Sequence, residues 1–436
     1  MNDDAEVPTG VPWLIFIQSF ENLSTIDNIP KIAIKQSVMD PISNPYAPGA
    51  GSPPPELAGR DELRAALRIA IERIRRGLQA KSMILIGLRG VGKTVLLDRM
   101  REEAEKIGIH TVRLEAPEGR SLPALLAPQL RLALLRLSRI EAAKDLSKRG
   151  LQALAGFVKG LKLTYNDIQV GLDYESQPGL ADNGDLEQDL QALLEAVGVA
   201  AKSAGTAIVL FIDELQYVKE SELAALISAL HLCAQRKLPI SIVGAGLPQL
   251  RGISGDAKSY SERLFDFPFI GPLNPQAATH AIVKPAHDNA VDYTQDAVAL
   301  IIEQTHGYPY FLQEWGKHSW DVAKSSPITA DDVKLASTEA TAAMDASFFG
   351  VRFDRLAPAE KRYLRAMAEL GPGPHRSGDI AAQLNRNVTS LAPTRNSIIA
   401  KGMIWSPSHG DTAFTVPMFD QFMKRTVPGD AWRTAG

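Results

Sequence analysis

Residues 83–94 read Met83-Ile-Leu-Ile-Gly-Leu-Arg-Gly-Val-Gly-Lys-Thr94, and this stretch decides the fold. Its four apolar residues predict a short buried strand, and a helix is predicted to follow at residues 94–107. Between them, residues 87–94 fit Gly-x-x-x-x-Gly-Lys-[Ser/Thr] at each fixed position. Such a loop turns backbone amides inward around a phosphate, with the positive end of the helix behind them. The stretch therefore predicts a phosphate-binding P-loop in an α/β sheet.

A second stretch supplies the carboxylates that a P-loop needs. Residues 208–214 read Ile-Val-Leu-Phe-Ile-Asp-Glu, a continuous apolar strand with two acids at its carboxyl end, where ligands bind in open α/β sheets. Asp213 is predicted to hold Mg²⁺ together with Thr94, and Glu214 to orient the attacking water. Lys93 would reach the β- and γ-phosphates of ATP. The predicted nucleotide contacts in the loop are Gly87, Leu88, Arg89, Gly90, Val91, Gly92, Lys93, Thr94 and Val95.

Strands alternate with helices around these two stretches. Strands that are apolar on both faces indicate a parallel sheet that is covered by helices on both sides. The fold class predicted is therefore α/β, a P-loop parallel sheet with helices on both faces. A long helical stretch is expected at residues 121–161, followed by a small hairpin. The predicted strands are residues 83–86, 111–114, 208–212, 240–243 and 267–270, and the hairpin is residues 163–172.

The second half of the chain changes character twice. Residues 274–346 read as helix throughout, with a capping box from Thr329 to Asp332. Three short helices and a β-hairpin then predict a helix-turn-helix with a wing, in which Pro393 falls in the first turn of the third helix. The helices are residues 358–370, 377–384 and 389–401, and the hairpin strands are 404–405 and 412–416. The predicted domains are a flexible leader (1–55), a nucleotide-binding domain (56–273), an all-α lid (274–353) and a winged-helix domain (354–436).

Composition excludes several other classes. The single cysteine, Cys233, excludes a disulfide framework and a cysteine zinc site and fits a reducing compartment. No run of apolar residues approaches the length of a membrane span, and acids stand where an export signal needs bases. We therefore expect a cytoplasmic protein with no membrane partner.

The charge is uneven along the chain. The net charge is −3, but residues 356–425 hold nine Lys/Arg against five Asp/Glu, a local +4, and residues 131–162 hold eight against two. Each basic stretch is either a nucleic-acid footprint or a solvated helix face. The predicted reading helix offers polar side chains to double-stranded DNA, and the alternatives are contact with a protein and structural support. These side chains are Thr389, Ser390, Thr394, Arg395, Asn396 and Lys401.

Residues 57–422 resemble the AAA+ superfamily, particularly its origin-recognition-like branch and the STAND ATPases. Residues 57–62, Leu-Ala-Gly-Arg-Asp-Glu, resemble the Gly-Arg-x-Glu segment of the family, which implies that Gly59 and Arg60 lie against adenine. Residues 261–264, Ser-Glu-Arg-Leu, are similar to its arginine-finger motif. The resemblance implies that Arg263 contacts the γ-phosphate in a neighbouring subunit, the alternative being a surface salt bridge. Gly307-Tyr-Pro309 resembles the Gly-x-Pro of STAND lids, which would place Pro309 near the base; the alternative is a helix-breaking turn.

Two departures from the family bear on activity. Residues 243–246, Val-Gly-Ala-Gly, lack the polar sensor that the family often places after this strand, and residues 307–313 lack a lid arginine. Each missing contact removes transition-state stabilisation, about 10²–10³ in rate for a good donor. We therefore expect slow hydrolysis, as in a switch rather than a motor.

The leading interpretation is an ATP- and Mg²⁺-binding switch that couples its nucleotide state to DNA binding, with a possible nucleotide-dependent homo-oligomer. One alternative is a STAND-like signalling or scaffold ATPase whose winged helix binds a protein partner. Another is an accessory ATPase of a recombination or transposition system, with residues 131–162 and the predicted hairpin at the DNA.

Overall fold

The computed structural model describes residues 39–49, 53–116, 119–161 and 174–434, all of which lie in one compact unit. Most of the predicted leader (residues 1–38) and the predicted hairpin (163–172) lie outside these ranges. Within them, no helix has both the length and the apolar character that crossing a bilayer requires.

A five-stranded parallel sheet forms the first part of the fold, in the order β2-β3-β4-β1-β5. Ile86 pairs with Gly246, and Glu115 with Asp213, so the carboxyl ends of the four longer strands meet at one edge. The strands are β1 (Ser82–Ile86), β2 (His110–Glu115), β3 (Ile208–Asp213), β4 (Ile240–Gly246) and β5 (Phe265–Asp266). The prediction of the fifth strand at residues 267–270 is wrong. Pro268 interrupts the ladder because it has no N–H, and Phe269 keeps only an isolated bridge.

Helices cover both faces of this sheet. Met83 and Leu85 of β1 join one hydrophobic cluster with α1 and α2, whereas Ile84 and Ile86 join another with α3 to α6. Each residue of β3 and β4 is buried. The predicted α/β class is thereby confirmed. The helices are α1 (Asp61–Arg75), α2 (Lys93–Lys106), α3 (Leu122–Leu137), α4 (Lys144–Leu161), α5 (Leu186–Ser203), α6 (Glu220–Gln235), α7 (Leu250–Ala257) and α8 (Ser261–Leu264).

The long helix predicted at residues 121–161 is two helices, α3 and α4. The chain leaves the helix after α3, where the Ser138 hydroxyl donates to the carbonyl of Leu135 and Ile140 is extended. Local side-chain bonds of this kind compete with helix continuation. A short 3₁₀ turn, Glu141–Ala143, leads into α4.

A helical region follows the sheet, as predicted for residues 274–346. The capping box that joins Thr329 and Asp332 is confirmed. The helices are α9 (Pro275–His287), α10 (Gln295–Thr305), α11 (Pro309–Val322) and α12 (Ala330–Met344), followed by a π-helix (Asp345–Phe349) and α13 (Gly350–Asp354). We call the π-helix and α13 together the connector.

The end of the predicted flexible leader is packed, and against the helical region rather than the sheet. Tyr46 is buried, and its hydroxyl donates to the carbonyl of Ile282 in α9. Trp320 in α11 donates its indole N–H to the carbonyl of Asp40 at 3.1 Å. Residues 39–49 are thus fixed to the helical region.

The last part of the chain contains the predicted three helices and hairpin, each within two residues of the expected bounds. Its elements are α14 (Pro358–Glu369), β6 (His375–Arg376), α15 (Ser377–Gln383), α16 (Val388–Ala400), β7 (Ile404–Trp405), β8 (Asp411–Phe414), α17 (Phe419–Thr426) and α18 (Ala431–Thr434). The strands form an antiparallel sheet in the order β6-β8-β7. Pro393 is not in the first turn of α16, because that helix begins at Val388 and Pro393 is its sixth residue.

The helical region and this C-terminal region share one hydrophobic cluster. Aromatic rings cross between them at the π-helix, where Phe348 stacks on Tyr310 of α11 with centroids 4.8 Å apart. Its neighbour Phe349 stacks on Phe422 of α17 at 5.2 Å. The predicted domain boundary at residues 353–354 therefore crosses a continuous core.

Candidate functional site

A cavity of about 410 Å³ lies between the carboxyl edge of the sheet and the helical region. Residues 47–49 and the connector complete its walls. It contains most of the predicted nucleotide contacts. Those that line it are Arg60, Arg89, Gly90, Val91, Gly92, Lys93, Thr94, Val95, Glu214 and Pro309.

The shape of the P-loop depends on its glycines. Gly90 and Gly92 have φ values of 78° and 83°, which residues with a side chain rarely adopt. A Cβ on Gly87 would stand 2.2 Å from the carbonyl oxygen of Ile270. Only glycine therefore fits these turns, and turns of this kind can form a nest of amides for anions.

Lys93 lies at the start of α2 and folds back over the loop. Its Nζ donates to the carbonyls of Gly87 at 3.0 Å and Leu88 at 2.8 Å. Burial lowers the pKa of Lys93 to about 8. A phosphate in the cavity would favour the charged form again, because an opposite charge stabilises the ammonium.

Asp213 and Glu214 stand at the end of β3, as predicted. Asp213 is buried and accepts a hydrogen bond from the Glu214 amide at 2.9 Å, and its other oxygen is 3.5 Å from Arg113. Burial raises the pKa of Asp213, against the opposing effect of the hydrogen bond from the Thr94 hydroxyl. A divalent cation between Thr94 and Asp213 would stabilise the charged carboxylate.

The donor set suits magnesium. Among the described residues, no cluster of three or more His, Cys, Asp or Glu could hold a metal. Mg²⁺ at phosphate sites needs no such cluster, because one or two protein ligands, substrate oxygens and water complete its shell. Thr94 and Asp213 supply such a pair.

Gln216 is a residue that the sequence analysis missed. It donates to a Glu214 carboxylate oxygen and accepts from the amide of Leu247, just beyond β4, at 3.1 Å. A Cβ on Gly246 would be 2.6 Å from the Gln216 side-chain oxygen. Because β4 ends in glycine rather than a polar residue, the Gln216 side chain has room there. Gln216, in the 3₁₀ turn after β3, then fixes the Glu214 carboxylate. The only signal in the sequence is the spacing Asp-Glu-x-Gln.

Arg352 was also missed, because it lies on the connector about 40 residues beyond the expected lid arginine. It lines the cavity, with its guanidinium 4.4 Å from the ring centre of Phe348. Burial, with a smaller repulsion from Arg89, lowers the pKa of Arg352 to about 10. Arg89 itself is 4.0 Å from Glu214. Both cations belong to the phosphate end of the cavity.

The expected adenine contacts are partly displaced. The Arg60 guanidinium donates to the carbonyl of Gly271 at 2.5 Å, and Arg60 lines the cavity. Gly59 does not line it; a Cβ there would be 2.8 Å from Ala277 of α9. Pro309 opens α11 and lines the cavity. Arg263 is exposed and lies outside the cavity.

The predicted DNA-contact residues separate into two groups. Arg395 donates to Thr412 at 3.0 Å and to the carbonyl of Asp411 at 3.0 Å, so it braces the β7–β8 hairpin. Lys401 donates to Glu360 at 2.7 Å, on the side of α16 that faces the P-loop. The structure therefore assigns both cations internal partners. Thr389, Ser390 and Asn396 are exposed, and Thr394 is half-buried.

Both later regions of the chain contact the P-loop through backbone atoms. The Tyr310 amide of α11 donates to the carbonyl of Gly90 at 3.2 Å. The Arg89 amide donates to the carbonyl of Thr415, after β8, at 2.9 Å. The C-terminal region therefore rests directly on the loop that would hold phosphate.

Residues 56–243 match a family model described as an AAA ATPase domain. Residues 346–423 match one described as a domain of unknown function. No sequence among the curated proteins matches this chain.

The fold is similar to that of a Walker-type ATPase of Pyrococcus abyssi, with a TM-score of 0.53 and 16% identity over 84% of this chain and 96% of that one. The Orc1 protein of Aeropyrum pernix in complex with DNA gives a TM-score of 0.45 and 13% identity over 85% and 94%. The RuvB Holliday junction branch migration motor of Thermotoga maritima gives 0.42 and 16% over 84% and 96%. With TM-scores of 0.45 and 0.42, the likeness to Orc1 and RuvB supports no conclusion about function. Residues 56–243 are thus similar to an AAA ATPase domain, and the fold is similar to that of a Walker-type ATPase.

Proposed function

We propose that this protein is an ATP-binding and slowly hydrolysing switch of the AAA+ type, in which the nucleotide state sets how the C-terminal region is held and thereby controls DNA binding. One observation carries the proposal: the hydrogen bond from the Arg89 amide to the Thr415 carbonyl. A loop that closes around phosphate cannot change shape without affecting a region bonded to its backbone. Binding of nucleotide to the P-loop would therefore either weaken or strengthen the contact of the C-terminal region with the same loop.

ATP would lie with its phosphates on the P-loop amides and Lys93, and its base toward Pro309 and residues 47–49. Thr94 and Asp213 would hold Mg²⁺, which supplies charge neutralisation for the phosphates when bound. Glu214 would orient the attacking water, because Gln216 and Arg89 fix its carboxylate beside the loop. The left-handed backbone of Glu214, with φ of 53°, is the kind of local strain that concentrates at functional sites.

Slow turnover is supported by the same geometry. Gln216 does not line the cavity, and its amide is bonded to Glu214 and Leu247, so it supplies no donor to the phosphates there. Arg263 is exposed outside the cavity and would reach a phosphate only in a neighbouring copy. Nucleotide-dependent association of copies would then complete the site and raise the rate.

The C-terminal elements have the order of a winged helix: α14, β6, α15, α16 and the β7–β8 hairpin. We propose that the exposed face of α16, with Thr389, Ser390 and Asn396, is the DNA-contacting surface. Arg395 is bonded to the hairpin and Lys401 lines a cavity beside the P-loop, so neither is included in this proposed surface.

A protein partner is the second candidate for this face. A groove of about 250 Å³ runs between α16 and the hairpin, and Val388, Leu391, Ala392 and Tyr363 give it apolar walls. Val388 is 46% exposed. An apolar groove fits a peptide or helix better than a phosphate backbone.

The coupling itself is tested by amide hydrogen exchange with ADP, with a non-hydrolysable ATP analogue and without nucleotide. The Arg89 amide and residues 402–416 should exchange at rates that differ between the two nucleotide states. Equal protection in the ADP and ATP-analogue states, in a protein shown to bind both, would contradict the switch.

The target is tested by DNA affinity in the same three states across a salt series. Affinity that changes with nucleotide and falls steeply with salt supports DNA, because phosphate contacts release counterions. Asn396→Ala should lower that affinity about fivefold, a loss of about 1 kcal/mol, without altering ATP binding. If DNA binds in none of the states while nucleotide binds normally, the face belongs to a protein partner.

A further inference from the structure

A second cavity of about 230 Å³ lies on the other side of Arg89 from the nucleotide cavity. It is enclosed by the P-loop, the connector and the end of α16. Pockets for drug-sized molecules are typically ~300–1,000 Å³, so this one is too small for a nucleotide. At ~30 Å³ for each water, it has room for a small ion and a few waters.

Four cations line this cavity: Arg89, Arg352, Arg355 and Lys401. None of the described residues that line it is a carboxylate. Two of these cations have acids beside them: Glu214 is 4.0 Å from Arg89, and Glu360 is paired with Lys401. Arg89 and Arg352 repel each other across this cavity, and a bound anion would offset that repulsion.

Arg89 has one donor that is not used within the described structure. Arg89 donates through Nη2 to the Tyr217 hydroxyl at 2.9 Å, whereas its Nε is buried without a hydrogen-bond partner. Since the Tyr217 oxygen accepts from Arg89, its own proton remains available to an oxyanion. Arg352 makes its hydrogen bond to the neutral carbonyl of Phe348. Repulsion from Arg89 also contributes to the low pKa of Arg352.

We propose that this cavity is a second anion site that binds inorganic phosphate beside the terminal phosphate of the nucleotide. It rests on the proposed function, since Arg89 and Arg352 line both cavities. A phosphate there contacts the P-loop through Arg89, the connector through Arg352 and the C-terminal region through Lys401. Bound phosphate therefore holds the C-terminal region against the loop after hydrolysis, and its departure frees that region.

The test measures phosphate binding by the full chain saturated with Mg²⁺ and ADP, using radiolabelled inorganic phosphate at equilibrium. Arg355→Gln is the informative variant, because Arg355 is exposed and lines only the second cavity. It should weaken phosphate binding about tenfold or more, the effect of losing one charge-assisted contact, with ADP affinity unchanged. Arg355→Lys should restore most of the affinity.

The matched control is Lys424→Gln, which removes an exposed cation on α17 away from both cavities. It should leave phosphate affinity as in the unaltered protein. Phosphate binding that is absent, or equal in Arg355→Gln and the unaltered protein, would overturn the second site alone. A protein that binds neither ADP nor ATP would instead overturn the proposed function.

A single-turnover experiment with ATP identifies the source of the phosphate. If the occupant is the hydrolysis product, phosphate release lags behind bond cleavage, and Arg355→Gln shortens the lag. If added phosphate binds but no lag is seen, the site is filled from solution. Both outcomes require the site, and they differ in whether its phosphate comes from the ATP of the same chain.

Discussion

The P-loop and helix α16 were both expected to bind phosphate groups, and the cations of both have partners within the chain. The partners differ: Lys93 donates to carbonyls of its own loop, whereas the cations of α16 bond to other elements. Lys93 of the loop lies in the cavity where ATP was predicted. Arg395 and Lys401 of α16 are bonded to the hairpin and to Glu360. The fixed spacing of residues 87–94 predicted the position of a binding site. The polar residues of α16 predicted an exposed helix face but not which of its side chains are free to bind.

The P-loop and α16 differ in how many conformations other than the ligand-binding one their residues can adopt. The loop glycines adopt backbone angles that side chains rarely allow, and the loop around them matches a motif whose fixed spacing forms an anion nest. An arginine or lysine on a helix has a long flexible side chain that reaches a neighbour as readily as a ligand. Its direction is decided by what packs beside the helix, which a single sequence does not specify.

Glu214→Gln is expected to have the largest effect on the P-loop site, through the rate of ATP hydrolysis. Loss of the carboxylate should slow hydrolysis about 10²–10⁴-fold, the usual contribution of a general base, while ATP still binds. Turnover is measured by phosphate release, with exposed Glu141→Gln as the control. Undiminished hydrolysis would move the base to another residue.

Lys93→Ala should weaken ATP binding by about 2–4 kcal/mol, roughly 30- to 700-fold, because a buried charge-assisted contact is lost. Calorimetric titration measures the effect. Lys106→Ala, at the exposed end of the same helix, should bind ATP normally. If Lys93→Ala and Lys106→Ala bound ATP equally well, Lys93 would not be a phosphate contact, and the P-loop would no longer differ from α16 in this respect.

The pH dependence of ATP binding is a further test of the role of Lys93 in the P-loop. With the pKa of Lys93 lowered to about 8 in the free protein, ATP binding above that pH requires uptake of a proton. Affinity should therefore be level below about pH 8 and fall with rising pH, by up to about tenfold for each unit. Titrations in two buffers of different ionisation enthalpy report the proton. Lys93→Arg, which stays charged, should not show the fall; a fall in that variant would implicate another group.

Arg395→Gln tests the α16 side. It removes hydrogen bonds to buried Thr412 and to the Asp411 carbonyl, which should lower the free energy of unfolding by about 1–3 kcal/mol. Thermal unfolding measures this, with exposed Arg386→Gln as the neutral control. If Arg395→Gln instead weakened DNA binding at an unchanged unfolding midpoint, Arg395 would return to the DNA surface.

Much of the fold followed from periodicity and turn chemistry. The sheet, the helical region and the C-terminal helices were predicted close to their bounds, because buried strands and capped helices carry local signals. The fifth strand was misplaced because Pro268 interrupts the ladder, and the division of residues 121–161 depends on bonds around Ser138.

Long-range packing left no such local signal. Arg352 and residues 47–49 enter the site only because distant segments fold together, and the Gln216 side chain is held by Leu247 from beyond β4. Arg352 reaches it through the connector, whose π-helix is set by aromatic rings from two regions.

The contact between Arg89 and Thr415 joins two main-chain atoms. Replacing either side chain leaves the main-chain donor and acceptor in place, so alanine scanning would report only the side-chain bonds of Arg89 and Thr415 and not this contact. Of single substitutions, only proline at position 89 removes the donor. Removing one residue from the β7–β8 hairpin would instead shift the Thr415 carbonyl out of reach. The proposed link between phosphate and the C-terminal region would therefore depend on chain length, and insertions and deletions would reveal it.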